Sequence, residues 1–317
     1  MVDWQSSANL NSLQARARLL QTIRQFFAKR GVMEVETPAL GHHTVTDVYL
    51  ASFSVPATTS ASEPGYLQTS PEYAMKRLLA SGSGPIYQIC KAFRSEEVSK
   101  QHNPEFTLLE WYRPGFSLAQ LMDEVGELLD KVLGCGAIPR FTYRQLFKEH
   151  LQFDPHQIEP QQLREELLNH VTVDVSGLDE TDCLQLLMSQ CIEPTLPSVC
   201  FVYDYPVAQA ALARIDNDAT GEWVAKRFEL YAGGMELANG YFELTDADEQ
   251  KKRFAKDKAR RKELGLPDIA EDLRLLAALE HGLPECAGVA LGVDRLLMAM
   301  LGASSIEDVL SFPGNRA

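Results

Sequence analysis

From Phe93 to Tyr112 the chain reads FRSEEVSKQHNPEFTLLEWY, so Arg94, Glu96, His102, Glu110 and Tyr112 fall within one hairpin-sized segment. A guanidinium is the side chain best shaped to grip a phosphate or carboxylate through paired hydrogen bonds. From Thr107 the order Thr, Leu, Leu, Glu, Trp, Tyr predicts a strand whose period of two puts Leu108, Glu110 and Tyr112 on one face. A carboxylate sharing a face with apolar groups marks either an edge strand wetted by solvent or a strand lining a polar pocket. The local pattern leaves both readings open.

The elements around this segment are legible from periodicity. Leu13, Ala17, Leu20, Ile23 and Phe27 recur at helical spacing and the run stops at Gly31, which predicts an amphipathic helix. VMEVETPAL then favours an extended chain interrupted at Pro38, and DVYLASFSV alternates as a strand. TSPEYAMKRLLASG predicts a helix with Ser70 at the cap, Pro71 at the first helical position and Gly82 at the end. PIYQIC is a short strand leading into the opening segment.

The region 118–197 carries helical patterns such as LAQLMDEVGELLDKVL and PQQLREELLNHV and reads as an insertion. SVCFVYDYPVA returns to strand character, and RFELYAGGMELANGYFEL predicts a hairpin turning at Gly233-Gly234. A basic helix is expected over 249–265, as a solvated face, and GVALGVDRLLMAML passes from a strand into a helix. No repeat or linker splits the chain. One α+β domain over 1–317, built on a mostly antiparallel sheet, is the simplest account.

Composition narrows the function classes. The 317 residues are 45% hydrophobic and 23% charged, an ordinary globular balance, and the net charge is −14. That charge works against a general grip on nucleic acid, whose affinity rests on phosphate contacts. Cys90, Cys135, Cys183, Cys191, Cys200 and Cys286 form no C-x-x-C pair and no zinc-finger spacing, so they read as reduced thiols of a cytoplasmic protein. The amino terminus lacks a secretory pattern and no apolar run reaches membrane-spanning length.

No Walker phosphate loop, dinucleotide fingerprint, H-E-x-x-H or G-x-S-x-G occurs. Three ordered clusters remain: Pro38 after the first helix, the Arg94 segment, and GVALGVDR with Gly288, Gly292 and Arg295. Together they resemble motifs one, two and three of the class II aminoacyl-tRNA synthetases. FRSEE with HNPEFTLLEWY, and FELYAGGMELANGYFEL, are most similar to the lysyl-tRNA synthetase version. The resemblance covers most of the chain outside the helical region.

It implies a class II catalytic domain that adenylates an amino acid with ATP and Mg2+. Arg94 would touch the α-phosphate and the substrate carboxylate, Arg295 the γ-phosphate, and His102 and Asn103 the phosphate tail and loop. Phe106 would stack on adenine and Glu96 read its amino group, with Ser95, Leu237 and Gly292 completing the nucleotide site. Glu229 and Glu236 stand where the family places magnesium ligands. Magnesium is commonly held by one or two carboxylates plus phosphates.

Asn239, Tyr241 and Glu243 would share a strand face, and with Glu110 and Tyr112 they make a pocket of carboxylates and phenols suited to an ammonium on an alkyl stem. Glu72 matches the contact to the substrate's backbone amine, beside Ser70 and Pro71. Ahead of Leu13 there is no room for the anticodon-binding barrel that the tRNA-charging members carry there. Ala290 stands where they have Gly, and Ser70 where they have Ala. The combination is similar to free-standing lysyl paralogues, which implies (R)-β-lysine as substrate, a lysine of translation elongation factor P as acceptor, a homodimer, and no stable tRNA binding. A truncated synthetase acting on RNA and a non-catalytic lysine- or ATP-binding regulator are the competing readings.

Overall fold

The computed structural model describes residues 4–57, 64–95 and 98–317. They divide into two compact units, 1–134 with 245–317, and 135–244. The first unit opens with α1 (Leu10–Ala28), where the Asn9 side chain accepts from the Ser12 N–H and so caps the exposed amides. α1 buries Ala15, Leu19, Ile23, Phe26 and Phe27. Of the expected stripe, Ile23 and Phe27 are inside, whereas Ala17 is exposed and Leu13 and Leu20 are half-buried. The helix therefore has two apolar faces, and the inward one is chosen by aromatic packing: Phe27 stacks on Tyr87 at 4.4 Å and meets Trp111 edge-on at 5.3 Å.

Short strands follow: β1 (Met33–Glu34), β2 (Leu40–Gly41), β3 (Ser54–Val55) and β4 (Gly65–Leu67), the last three forming a small antiparallel sheet. The alternating run 47–55 is a strand only at Ser54–Val55. Its front half turns instead, because the Asp47 side chain takes the Tyr49 N–H at 2.8 Å and competes with ladder pairing. α2 (Glu72–Ala80) starts one residue later than expected, with Pro71 at the cap position and the Ser70 hydroxyl accepting from the Glu72 N–H.

β5 (Ile86–Phe93) and β6 (Glu105–Pro114) pair antiparallel, in register Gln88 with Glu110 and Ile86 with Tyr112. α3 (Leu118–Leu133) begins at a capping box of Ser117 with Gln120 and stops at Gly134, whose φ of +64° favours glycine.

The second unit holds β7 (Arg140–Thr142), α4 (Tyr143–Leu151), α5 (Pro160–His170), α6 (Glu180–Leu187), β8 (Val199–Tyr205), β9 (Ile215–Asn217), β10 (Trp223–Ala232) and β11 (Met235–Phe242). Thus, of the helical stretch 118–197, α3 belongs to the first unit and α4–α6 to the second. Strand order is β11-β10-β8-β7, with β9 also on β10, and only β7 with β8 is parallel among these pairs. Phe147, Leu163, Leu167, Leu184 and Leu187 form a core with Val202, Tyr205 and Tyr231. The β10–β11 turn has φ of +58° at Gly233 and +73° at Gly234, the two positive values that a two-residue hairpin of this hand demands.

The chain returns to the first unit as α7 (Ala247–Glu263), α8 (Leu273–Gly282), β12 (Cys286–Gly292) and α9 (Val293–Leu301). β12 lies antiparallel on β6, so β6 is interior to the order β1-β5-β6-β12. Both units are α+β and mostly antiparallel. α7 is the expected basic helix, and several of its cations are engaged: Lys251 with Glu280, Arg253 with Glu249, and the buried Arg261 on the carbonyls of Asp47 and Pro267. Among the described residues no helix is long and apolar enough to cross a membrane.

Candidate active site

The strand carrying Glu110 is interior, and Glu110 itself is 2% exposed, which excludes the solvent-wetted edge strand. Its partners are built from three elements. Tyr112 Oη donates to Glu110 Oε1 at 2.7 Å, and Ser70 Oγ donates to Oε2 at 2.7 Å. Ala290 of β12 and Gln88 of β5 flank it in register. Burial, and next the charge of Glu72, push the Glu110 carboxyl up to about 7, against the opposing pull of Tyr112, Ser70 and Lys76. Glu72 is half-buried at the start of α2 and receives Lys76 Nζ at 2.6 Å. Gln88 is 3% exposed, and its Oε1 has no donor among the described residues, so this face holds an acceptor in want of a proton.

A second group gathers near the ends of β5, β6 and β12. The Arg94 guanidinium lies 5.1 Å from the Phe106 ring centroid, while its backbone N–H donates to Pro104 and that of Ser95 to Ala51. Arg295, in the first turn of α9 after Gly292, contacts His102 Nε2 through one guanidinium nitrogen and Gln101 O through Nε. Because a guanidinium can only donate, that contact assigns the lone pair to His102 Nε2 and the proton to Nδ1, which faces Ser99 Oγ at 2.7 Å. Asn103 is committed to the backbone, donating to Glu105 O and accepting from Gly314 N. Asp294 is 2% exposed and accepts from Arg16 and from the Thr107 N–H, tying α9 to α1 and β6 beside Arg295. Glu96 lies outside the described residues.

In the second unit, cross-strand register places Glu229 opposite Asn239, Arg227 opposite Tyr241 and Tyr231 opposite Glu236, so these six share one face. Glu229 accepts from Tyr205 Oη at 2.7 Å and Tyr231 Oη at 2.6 Å and is paired with Arg227. Burial, then the neighbouring Glu229 charge, raise the Tyr205 and Tyr231 phenols, which stay protonated as donors. Arg227 also lies 5.6 Å from the Tyr241 ring. Glu243 is 2% exposed and Leu237 is buried, leaving the latter's backbone as its polar part. Among the described residues no group of three or more His, Cys, Asp or Glu side chains could hold a metal. Two carboxylates on one face fit a magnesium ion held jointly with nucleotide phosphates, and do not fit an all-protein cation site.

Ser70, Glu72, Glu110, Tyr112 and Ala290 are thus gathered in one place, with Pro71 capping α2. Arg94, Phe106, His102 and Arg295 form a second group, and Glu229, Glu236, Asn239 and Tyr241 a third. Sequence reasoning passed over Lys76, Gln88, Arg227 and Asp294. Lys76 stands four residues after Glu72 in a helical run, Arg227 two before Glu229, and Asp294 beside Arg295, so spacing carried a signal for three of them.

Residues 1–316 match the family described as tRNA synthetases class II (D, K and N). A Yersinia enterocolitica protein named elongation factor P–(R)-β-lysine ligase is 48% identical over 324 residues, covering 99% of this chain and 98% of that protein. The proteins of that name from Pectobacterium carotovorum and Proteus mirabilis are each 48% identical, over 99% and 100% of this chain and 98% and 99% of theirs.

Proposed function

Since the chain belongs to the class II tRNA synthetases of the D, K and N type, we propose that it is a ligase that activates (R)-β-lysine with ATP and joins it to the ε-amine of a lysine on elongation factor P. The near-full-length likeness to ligases of that name supports the acceptor and the β-amino substrate. The observation that carries the substrate class is Glu110: a buried carboxylate held on both oxygens by neutral hydroxyls and flanked by a donor-less Gln88 acceptor. Among the described residues no cation is hydrogen-bonded to Glu110 itself, and a diamino acid brings one.

The substrate carboxylate attacks the α-phosphorus of ATP and pyrophosphate leaves. The lysine amine of the acceptor then attacks the acyl carbon, losing a proton as AMP departs. Arg94 holds the reacting carboxylate and α-phosphate, where a preorganised donor opposes developing charge. Phe106 stacks the adenine, and Arg295 and His102 hold the phosphate tail. Glu72 binds the amine, while Glu110 and Tyr112 receive the distal ammonium. Glu229 and Glu236 would hold Mg2+, which neutralises phosphate charge when bound. The open face of α1, with Ala17, Leu20 and Ala28 along a groove, fits a homodimer. The six cysteines, reduced rather than bridged, fit a cytoplasmic location.

The test is to incubate the protein with ATP, labelled (R)-β-lysine or α-lysine, and either elongation factor P or total tRNA. Label should enter elongation factor P, with β-lysine ahead of α-lysine. Label in tRNA instead would restore the truncated-synthetase reading.

A further inference from the structure

Lys76 is 2% exposed, and a fully buried ammonium is uncommon and costly unless it is held by a partner. It sits on the inward side of α2 with Met75 and Leu79, which are also buried. Its Nζ donates to Glu72 Oε1 at 2.6 Å, an i,i+4 pair in the favourable order with the carboxylate nearer the helix start. The Glu72 N–H is fixed in turn on Ser70 Oγ at 3.1 Å, and Ser70 donates to Glu110. One end of Glu72 is therefore set by the helix start and one carboxylate oxygen by a cation that has no room to swing.

We propose that Lys76 is a positioning residue for amine recognition: it pins Glu72 through Oε1, leaving the other oxygen at a fixed place for the substrate's carboxylate-proximal amine. This rests on the function proposed above, in which Glu72 receives that amine. A glutamate left to rotate would meet an α- or a β-amine equally well, because its own torsions would absorb the difference of one carbon. A pinned glutamate cannot follow, so the position of the amine along the substrate becomes something the site reads. Discrimination then arises from rigidity behind the contacting group as well as from the pocket wall.

The experiment compares Lys76→Met with wild type in pyrophosphate exchange, using (R)-β-lysine as substrate and 6-aminohexanoate as a competitive inhibitor. The inhibitor keeps the carboxylate and distal ammonium but lacks the amine that Glu72 reads. KM for β-lysine should rise about tenfold or more, the scale of one charge-assisted hydrogen bond. KM for ATP and the inhibition constant of 6-aminohexanoate should stay within about twofold. Glu72→Gln should show the same signature, and adding Lys76→Met to it should change little further. Equal weakening of both ligands would make Lys76 a purely structural residue and overturn the proposal, as would an unchanged KM. If Lys76→Met does not fold, Lys76→Gln is judged by the same two ligands. A wild-type protein that activates no diamino acid would instead defeat the functional reading itself.

Discussion

Glu110 and Glu229 are strand carboxylates in different units, each accepting from two hydroxyls, yet among the described residues a cation is hydrogen-bonded only to Glu229. Glu229 has Arg227 hydrogen-bonded to it beside Tyr205 and Tyr231. Glu110 has Ser70 and Tyr112, while the nearby Lys76 is engaged with Glu72. Burial therefore acts on Glu110 with less compensation, and its carboxyl rises to about 7. A carboxylate with its cation in place is balanced before any ligand arrives. One whose partner is missing is prepared for a ligand that supplies it.

The largest effect should come from breaking the completed pair. Arg227→Met removes a buried guanidinium and leaves the half-buried Glu229 without its cation, and should cost roughly 3–5 kcal/mol of stability. Thermal unfolding at neutral pH checks this, and Glu229→Gln in the same background should recover part of the loss; a variant as stable as wild type would show the pair to be dispensable.

Arg94→Ala should do the opposite. It should leave unfolding nearly unchanged while adenylation falls by about 3–4 kcal/mol in barrier terms, the usual value of a preorganised donor at developing charge. Pyrophosphate exchange measured beside a melting curve separates the two, and retained exchange would remove Arg94 from the chemistry.

Changing the wall beside Glu110 sharpens the comparison further. Ala290→Gly removes a methyl in register with Glu110 and should shift selectivity toward α-lysine by about 1–3 kcal/mol, read by competition between the two isomers. An unchanged ratio would assign the preference elsewhere.

The smallest effect concerns protons. A free pocket below about 7 holds Glu110 protonated and uncharged, so kcat/KM for the amino acid should rise with pH through that value. Ser70→Ala deletes a donor that favours the ionised form and should move the rising limb to higher pH. The stability term runs the other way. Folded Glu110 keeps a proton that the unfolded chain has already released, so its contribution is full below the ordinary carboxylate range and is lost as pH climbs toward 7. A pH-independent kcat/KM would argue against Glu110 as the ammonium's partner.

Much of the site was legible because its chemistry is local. Glu110 and Tyr112 share a face by strand period alone, and Ser70 and Pro71 announce the start of α2. The Gly233-Gly234 turn is legible too, but alone it would pair Glu229 with Ala238; the register shift between Leu230 and Tyr231 is what brings Asn239 opposite Glu229. The failures were local as well. DVYLASFSV alternates like a strand, yet the Asp47 side chain captures a backbone N–H and bends its first half into a turn. The first helix has two apolar stripes, and no periodicity tells which of them meets Tyr87 and Trp111.

Residue types and spacing by themselves determined which elements form, where their polar groups stand along them, and that three arginine- and glycine-bearing clusters recur in a family order. Tertiary structure alone decided which of those groups lose water. Spacing marks Lys76 and Asp294 as neighbours of site residues, but nothing along the chain says that they and Gln88 are buried, as they are once the elements of the first unit pack together. Burial is a property of neighbours distant in sequence, and it turns a hydrogen bond into a constraint and a carboxylate into a waiting partner.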